Sequence, residues 1–157
     1  KVLGIATAAG YQLVAACDLA VAADDSRFAT SGINVGLFCS TPSVPVSRNL
    51  GRKQAMELLL TGHFIDAHTA LQWGLVNRVV PASRLDQEVA DLAGSIMSKS
   101  WVAVATGKRM FYKQLELPLE SAYDYASGVM AGNMMADDVE EGVDAFMQKR
   151  TPVWKHQ

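Results

Sequence analysis

The chain has 157 residues, of which 50% are hydrophobic and 19% charged, so it can bury the apolar core of a globular domain. A net charge of -2, without basic runs interleaved with aromatic residues, argues against nucleic-acid binding, and no apolar run reaches the length of a membrane span. The two cysteines, Cys17 and Cys39, are too few for a disulfide framework and are expected to be buried thiols in a reducing compartment.

Short strands flank a helix in the predicted amino-terminal segment. Residues 1–6 form an apolar run that is typical of a strand, and the small residues Thr7-Ala8-Ala9-Gly10 then permit a tight turn. Residues 12–17 suit a buried helix, residues 19–22 suit a buried strand, and Phe28-Ala29 begins another extended piece. Strands therefore come first in the chain, as expected of an α/β core.

Residues 32–50 lack a clear hydrophobic period. Gly36, Pro42 and Pro45 interrupt this segment, so it is predicted to be mostly loop with a short helical stretch. Loops on rigid scaffolds often carry binding and catalytic residues. The segment is therefore a candidate wall of a functional site.

Helical patterns dominate after residue 50. Residues 54–61 are predicted to form a helix that ends at Gly62, and Asp66 is expected to cap a second helix that ends at Gly74. A strand is predicted over residues 75–80. Further helices are predicted at residues 85–96, with Ser83 as the cap, and at residues 102–114, 119–135 and 139–149.

The turn Ala8-Ala9-Gly10 is the segment whose chemistry is easiest to name. A strand that ends in small residues and opens a helix points free backbone N–H groups at the space before the helix. Such donors stabilise the charge that develops on a thioester carbonyl oxygen in an enolate-like transition state, by about 2.7 to 4 kcal/mol per donor. Tight packing of a helix on a sheet needs the same small residues, and spacing alone favours that simpler explanation.

Four segments resemble, in order and spacing, the signatures of the enoyl-CoA hydratase/isomerase (crotonase) family. They are Ile5 to Ala22, with a small-small-Gly-x-Gln-Leu pattern before Cys17-Asp18, then Phe28 to Leu37, Leu60 to Asn77, and the closing helix, Glu141 to Arg150. Because the four cover nearly the whole chain, the sequence is identified as a member of that family. It resembles the enoyl-CoA hydratase domain-containing group, which lacks the catalytic glutamates.

The resemblance implies a fold and partners. Residues 1–62 would be the last part of a crotonase-like ββα spiral core, and residues 63–157 a helical trimerisation region. The chain would be the carboxyl-terminal part of a longer protein, without its targeting region. An acyl-CoA thioester is the expected ligand, coenzyme A being part of the substrate, with no other cofactor and no metal. The assembly would be a homotrimer or a dimer of trimers, mitochondrial in a eukaryote and cytoplasmic otherwise.

Five residues receive roles from the resemblance alone. The backbone N–H of Ala9 falls on the second oxyanion-hole donor of the family, whose first donor would lie upstream of Lys1. Gln12 and Gly32 occupy the positions of the two glutamates that hold and deprotonate water in the hydratases. Phe146 and Lys149 fall on closing-helix positions that contact coenzyme A, sometimes across a subunit boundary. A solvated lysine at a helix carboxyl terminus explains Lys149 equally well.

Loss of both carboxylates argues against efficient hydration. A glutamine amide can orient water but is not a base near neutral pH, and glycine has no side chain. Each general acid or base contributes roughly 10² to 10⁴ in rate. A nucleophilic role for Cys39, Ser40 or Thr41 is not favoured, because no histidine or carboxylate lies near them in sequence.

The three histidines do not suggest a metal site. His63 and His68 are expected at surface positions because their spacing does not present a metal pair, and His156 lies near the chain end. Three functions stay open. The protein is an acyl-CoA enzyme with other acid-base groups, a silent acyl-CoA binder that acts as a sensor or regulatory subunit, or an oligomerisation module.

Overall fold

The computed structural model describes residues 1–155. The chain forms two compact units, Lys1–Asp91 and Leu92–Gln157, and the division falls within one helix, α5 (Leu85–Met97). The boundary of the core expected after Gly62 stays a prediction. None of the helices in the described residues is long and apolar enough to cross a membrane.

The amino-terminal unit alternates short strands and helices. In chain order its elements are β1 (Ile5–Thr7), α1 (Ala9–Ala16), β2 (Val21–Ala23), β3 (Arg27–Ala29), α2 (Ser40–Asn49), α3 (Arg52–Thr61), β4 (Ile65–Asp66), α4 (Ala67–Trp73) and β5 (Arg78–Val80). Strand β3 lies between β1, which is parallel to it, and β4, which is antiparallel. Strands β2 and β5 form a separate parallel pair. The predicted strands are therefore present but shorter than expected.

A compact apolar core holds these elements together. Tyr11 of α1 and Phe28 of β3 are both fully buried, and their rings meet edge to face with centroids 6.3 Å apart. Val46 of α2 and Leu58 of α3 belong to the same cluster. The hydroxyl of Thr30, directly after β3, donates to the Leu58 carbonyl oxygen at 2.7 Å, so the end of the strand is tied to α3.

The predicted ends of α3 and α4 are confirmed. Gly62 and Gly74 adopt the left-handed conformation, with φ of 63° and 86°, in which glycine carries no steric penalty. The Asp66 carboxylate accepts a hydrogen bond from the Thr69 N–H at 2.7 Å, as expected of a helix cap. That hydrogen bond lowers the pKa of Asp66 below its usual value.

The prediction of a mostly irregular segment at residues 32–50 is wrong, because α2 occupies ten of these residues. Pro42 is tolerated because it lies in the first turn, where a backbone N–H has no helical acceptor. Pro45 removes one hydrogen bond from inside the helix. The Asn49 side chain strengthens this segment by donating to the carbonyl oxygens of Pro45 and Ala15, both at 2.8 Å.

Two further expectations need correction. Helix α1 begins at Ala9 rather than at Gln12, because the small residues of the turn already take helical geometry. Cys39 is buried as predicted, whereas Cys17 is exposed. Cys17 follows the last residue of α1 and has extended backbone angles, so it has left the buried side of the helix.

The carboxyl-terminal unit is helical, as predicted. After the end of α5 it contains α6 (Trp101–Gln114), α7 (Leu119–Asn133) and α8 (Asp137–Met147). The Ser100 hydroxyl caps α6 by accepting a hydrogen bond from the Ala103 N–H at 3.2 Å. Ser83, the expected cap of α5, lies instead within a 3-10 turn, Ala82–Arg84.

Thr30→Val is expected to destabilise the protein by about 0.5 to 1.5 kcal/mol, because it removes a buried hydrogen bond while nearly keeping the side-chain volume. The Leu58 carbonyl oxygen keeps its hydrogen bond from the Gly62 N–H at 3.0 Å, so no acceptor is left unpaired. Urea unfolding measures the loss. Thr41→Val, at an exposed position in α2, is the matched control. Equal effects of the two changes would show that the Thr30 hydrogen bond contributes nothing.

Candidate functional site

The turn between β1 and α1 places a helix amino terminus at the end of the sheet. Ala8 adopts φ 46° and ψ -113°, and its N–H donates to the Ala29 carbonyl oxygen at 3.3 Å. The first helical hydrogen bond runs from the Gln12 N–H to the Ala8 carbonyl oxygen, at 2.9 Å. The N–H groups of Ala9 and Gly10 therefore have no acceptor within the helix. Both residues are exposed, so the turn can offer donors to a negatively charged oxygen.

Gln12 lies one helical turn after Ala9. Residues three apart share a helix face, so the Gln12 side chain emerges on the side of α1 that carries Ala9. The side chain is half-buried. Its amide can hold a water molecule by donating and accepting hydrogen bonds, but it cannot take up a proton near neutral pH.

Gly32 has no room for a side chain. It lies in a 3-10 helix, Ser31–Val35, and a Cβ on it would be 2.7 Å from the Leu37 carbonyl oxygen and 2.9 Å from Cys39 Sγ. The Leu37 N–H donates to the Gly32 carbonyl oxygen at 3.0 Å, which closes the loop on itself. The loop conformation therefore depends on glycine at this position.

The same loop presents apolar side chains to solvent. We call residues 33–38 the apolar loop; in it Val35 is 83% exposed, Leu37 67% and Phe38 39%. Its other side rests on Gly62, where a Cβ would meet the Ile33 side chain at 2.7 Å. Clustered exposed apolar groups are typical of binding surfaces. The apolar loop thus adds exposed hydrophobic surface beside Gly32.

Tyr11 is a buried polar residue that the sequence did not single out. Its hydroxyl oxygen has no hydrogen-bond partner among the described residues, and its side chain is fully buried. Burial raises the pKa of the Tyr11 hydroxyl, since the phenolate would lose its solvation. Tyr11 therefore stays protonated and acts as an apolar ring in the core. No sequence signal distinguishes it from an ordinary core aromatic.

The other side chains considered as nucleophiles lie beside Gly32. Cys39 is buried, with its sulfur against Gly32 as described above. Ser40 and Thr41 are exposed in the first turn of α2, and the Ser40 hydroxyl donates to the Phe38 carbonyl oxygen at 3.4 Å. That they have no nucleophilic role stays a prediction.

His63 and His68 are exposed, as predicted, and His156 lies outside the described residues. Within residues 1–155, no group of three or more His, Cys, Asp or Glu side chains is arranged to hold a metal ion.

Phe146 lies on the exposed side of α8 in the carboxyl-terminal unit. It is 81% exposed and lines a cavity of about 360 Å³ whose walls are almost entirely apolar. Trp154 and Val143 form other parts of the wall. Asn133 also lines this cavity, and its Oδ1 is buried without a hydrogen-bond partner among the described residues. The cavity thus presents mainly apolar surface.

Lys149 lies in the turn that ends α8. Its φ is 53°, in the left-handed region that favours glycine, and the Arg150 N–H donates back to the Ala145 carbonyl oxygen at 3.0 Å. The side chain is exposed, and none of the ion pairs found within residues 1–155 involves it. Ala8 and Lys149 are the only non-glycine residues with positive φ in the described chain.

Comparison with known sequences gives one family and several relatives. The enoyl-CoA hydratase/isomerase family model matches residues 1–157. Enoyl-CoA hydratase domain-containing protein 3, mitochondrial, of Rattus norvegicus is 54% identical over 153 residues, which are 98% of this chain and 51% of that protein. The chain thus spans about half the length of the curated relatives it matches.

Comparison with solved structures also finds enoyl-CoA hydratase proteins. A crystal structure of enoyl-CoA hydratase from Mycobacterium smegmatis superposes with a TM-score of 0.94 at 58% identity, covering 96% of this chain and 59% of that one. The human enoyl-CoA hydratase domain-containing protein 3 superposes with a TM-score of 0.92 at 52% identity, covering 96% and 60%. Both identities are high enough to support more than a shared fold.

Gly32→Ala is expected to destabilise the protein by about 1 to 3 kcal/mol, because its methyl group would collide with the Leu37 carbonyl oxygen and Cys39 Sγ. Gly10→Ala is the control, since a Cβ on this helical residue meets no atom within 4 Å. It is expected to stabilise by about 0.4 to 1 kcal/mol. Thermal unfolding of both variants tests the contrast, and a Gly32→Ala protein as stable as its parent would contradict the close packing.

Proposed function

The chain belongs to the enoyl-CoA hydratase/isomerase family, and on that premise we propose that its protein binds fatty acyl-CoA thioesters and acts on or senses them through an oxyanion hole, without being an efficient hydratase. The fold is the crotonase fold predicted from the sequence. One observation carries the proposal. The backbone N–H of Ala9 has no acceptor within α1, and the two positions that the resemblance assigns to glutamates hold Gln12 and Gly32.

The backbone at Ala9 has the chemistry needed to polarise a thioester carbonyl. Donors fixed before the reaction do not have to reorient when negative charge develops on the oxygen, and each contributes about 2.7 to 4 kcal/mol in known oxyanion holes. The helix dipole of α1 adds partial positive charge at the same point. Small residues on both sides of Ala9 permit the close approach of a ligand. A second donor would come from outside this chain.

Water addition needs proton transfer, and neither glutamate position supplies it. Gln12 can orient a ligand or a water molecule, and Gly32 contributes only backbone. The Leu37 carbonyl oxygen and Cys39 Sγ lie so close to Gly32 that no carboxylate side chain fits there. This close packing further supports the proposal. Any catalysis would therefore rely on acid-base groups elsewhere in the whole protein.

The carboxyl-terminal unit is proposed to supply contacts to coenzyme A, within its own subunit or a neighbouring one. Lys149 would pair with a phosphate group. A lysine in the left-handed region costs roughly 1 to 2 kcal/mol relative to glycine, so a side-chain role explains why lysine is present. The cavity beside Phe146, whose walls are almost entirely apolar, would accept a flat ring such as adenine.

A second candidate is a silent acyl-CoA binder that serves as a regulatory or oligomerisation subunit. The observation that favours it is the same pair of replaced glutamates, because a binder needs the N–H donors of the turn but no base. In either case we propose a homotrimer or a dimer of trimers. We propose a mitochondrial location if the source is a eukaryote, as in the name of the rat relative, and a cytoplasmic one otherwise.

Calorimetric titration of the whole protein with octanoyl-CoA tests the proposed binding. Lys149→Gln should weaken the affinity about 10- to 100-fold, as expected for a hydrogen bond to a charged group. Lys149→Gly should weaken it equally and yet raise the free energy of unfolding by up to about 1 kcal/mol, because glycine relieves the left-handed strain. Lys113→Gln, at an exposed position in α6, is the control. Absence of heat from the unmodified protein would reject the proposed function.

Restoring carboxylates should not create a hydratase. Gln12→Glu and Gly32→Glu together are expected to give no crotonyl-CoA hydration above that of the parent, because the Gly32 side chain would displace the loop. Loss of enoyl-thioester absorbance measures the rate, and Gln12→Glu alone is the control. A gain of about 100-fold in the double variant, the scale of one general acid or base, would contradict the closed wall at Gly32.

A further inference from the structure

The chain turns back after α8 and lies along that helix. We call residues 150–155 the strap. The strap begins directly after Lys149, whose left-handed turn reverses the chain direction. The Arg150 N–H donates to the Ala145 carbonyl oxygen at 3.0 Å and the Lys149 N–H to the Phe146 carbonyl oxygen at 3.2 Å. The geometry of the turn is therefore coupled to the path of the strap.

Glu141 fastens the first part of the strap to α8. Its two carboxylate oxygens accept hydrogen bonds from the two terminal nitrogens of Arg150, at 2.6 and 2.9 Å. One of the oxygens also accepts the Val153 N–H at 2.7 Å. The Glu141 side chain is only 17% exposed. The hydrogen bonds from Arg150 and Val153 lower the pKa of Glu141 to about 2, so the carboxylate stays charged at neutral pH.

Further contacts fasten the end of the strap. The buried carboxylate of Asp138 accepts the Lys155 N–H at 2.7 Å and the Ser100 hydroxyl at 2.5 Å. The Trp154 indole N–H donates to the Ser98 carbonyl oxygen at 2.8 Å. The strap is thus held at both ends, and Glu141 supplies the side-chain attachment nearest to Lys149 along the strap.

We infer that Glu141 is a positioning residue for Lys149. A bidentate carboxylate-guanidinium pair fixes both the distance and the angle of Arg150 relative to α8. Since Arg150 follows Lys149 directly, that pair limits the backbone angles open to Lys149 and holds it in the left-handed turn. Glu141 does so without touching the ligand itself. The inference rests on the proposed function, in which Lys149 contacts a phosphate of coenzyme A.

Glu141 and Arg150 both belong to the closing-helix motif. In the sequence, only their opposite charges indicated that the two side chains could pair. The spacing between them exceeds the three or four residues at which helical side chains pair. Only the reversal of the chain at Lys149 brings them together.

Glu141→Gln in the whole protein tests the inference with two probes, octanoyl-CoA and octanoyl-pantetheine thioester, which lacks the nucleotide. The variant should bind octanoyl-CoA about tenfold more weakly, on the scale of a misplaced charged hydrogen bond. Its affinity for octanoyl-pantetheine should stay unchanged, which a general structural defect would not predict. Glu140→Gln removes the same charge from an exposed position of α8 and is the matched control.

Two further variants keep the inference testable if Glu141→Gln folds poorly. Arg150→Lys keeps the charge but loses the bidentate pair, so it should reduce the preference for octanoyl-CoA over octanoyl-pantetheine severalfold. Glu141→Gln combined with Lys149→Gln should lower that preference no further than Lys149→Gln alone, because Glu141 acts through Lys149.

The binding measurements distinguish failure of the inference from failure of the proposed function. If Lys149→Gln lowers the preference for octanoyl-CoA while neither Glu141→Gln nor Arg150→Lys does, the positioning role is overturned and the phosphate contact stands. Additive losses in the double variant overturn it as well. If the unmodified protein does not prefer octanoyl-CoA to octanoyl-pantetheine, the proposed phosphate contact is itself rejected, and the role of Glu141 with it.

Discussion

The hydrogen bond from the Ala8 N–H to the Ala29 carbonyl oxygen determines much of the amino-terminal unit. It continues the parallel ladder of β1 and β3 one residue beyond the strands, so the chain must turn sharply before α1 can begin. The turn has positive φ at Ala8, a conformation that is strained for any residue with a Cβ. As a result α1 starts directly over the end of β3. Tyr11 then falls inward against Phe28.

The absence of a side chain at Gly32 shapes the loop that follows β3. The chain leaves β3 through Thr30, which is tied to α3, and reaches Gly32 two residues later. There the Leu37 carbonyl oxygen and the Cys39 sulfur occupy the space that a side chain would need. A glutamate at this position would therefore require a different loop and not merely a different residue.

Features that depend on residues within one helical turn were predicted from the sequence. Gly62, Gly74 and the Asp66 cap each act within one helical turn, so their effect is visible in a short window. The order of the helices was also predicted, from hydrophobic periods. The crotonase fold was predicted from the resemblance of four motifs that extend over the chain. Helix α2 was predicted as no more than a short helical stretch, since two prolines suggest a loop unless one notices that Pro42 lies in the first turn.

What could not be predicted depends on distant parts of the chain. The tight contact at Gly32 involves residues five and seven positions away in a loop without a period. Asp138 looked like one of several acidic residues at a helix start, yet it is buried and bound to Ser100, 38 residues earlier. Two further features likewise could not be predicted from local patterns. They are the Tyr11 hydroxyl, which has no hydrogen-bond partner among residues 1–155, and the packing of the strap on α8. Pattern rules describe neighbours along a chain and not neighbours in space.

The two strained residues use their strain in opposite ways. Strained backbone persists where the surrounding structure holds it, and it concentrates at functional sites. Ala8 precedes the N–H groups of α1 that have no acceptor in the helix, and in the proposed function these backbone atoms contact the ligand. At Lys149 glycine would be easier, and the chain carries a long cationic side chain instead. In the proposed function the backbone is thus the functional element at the first turn and the side chain at the second.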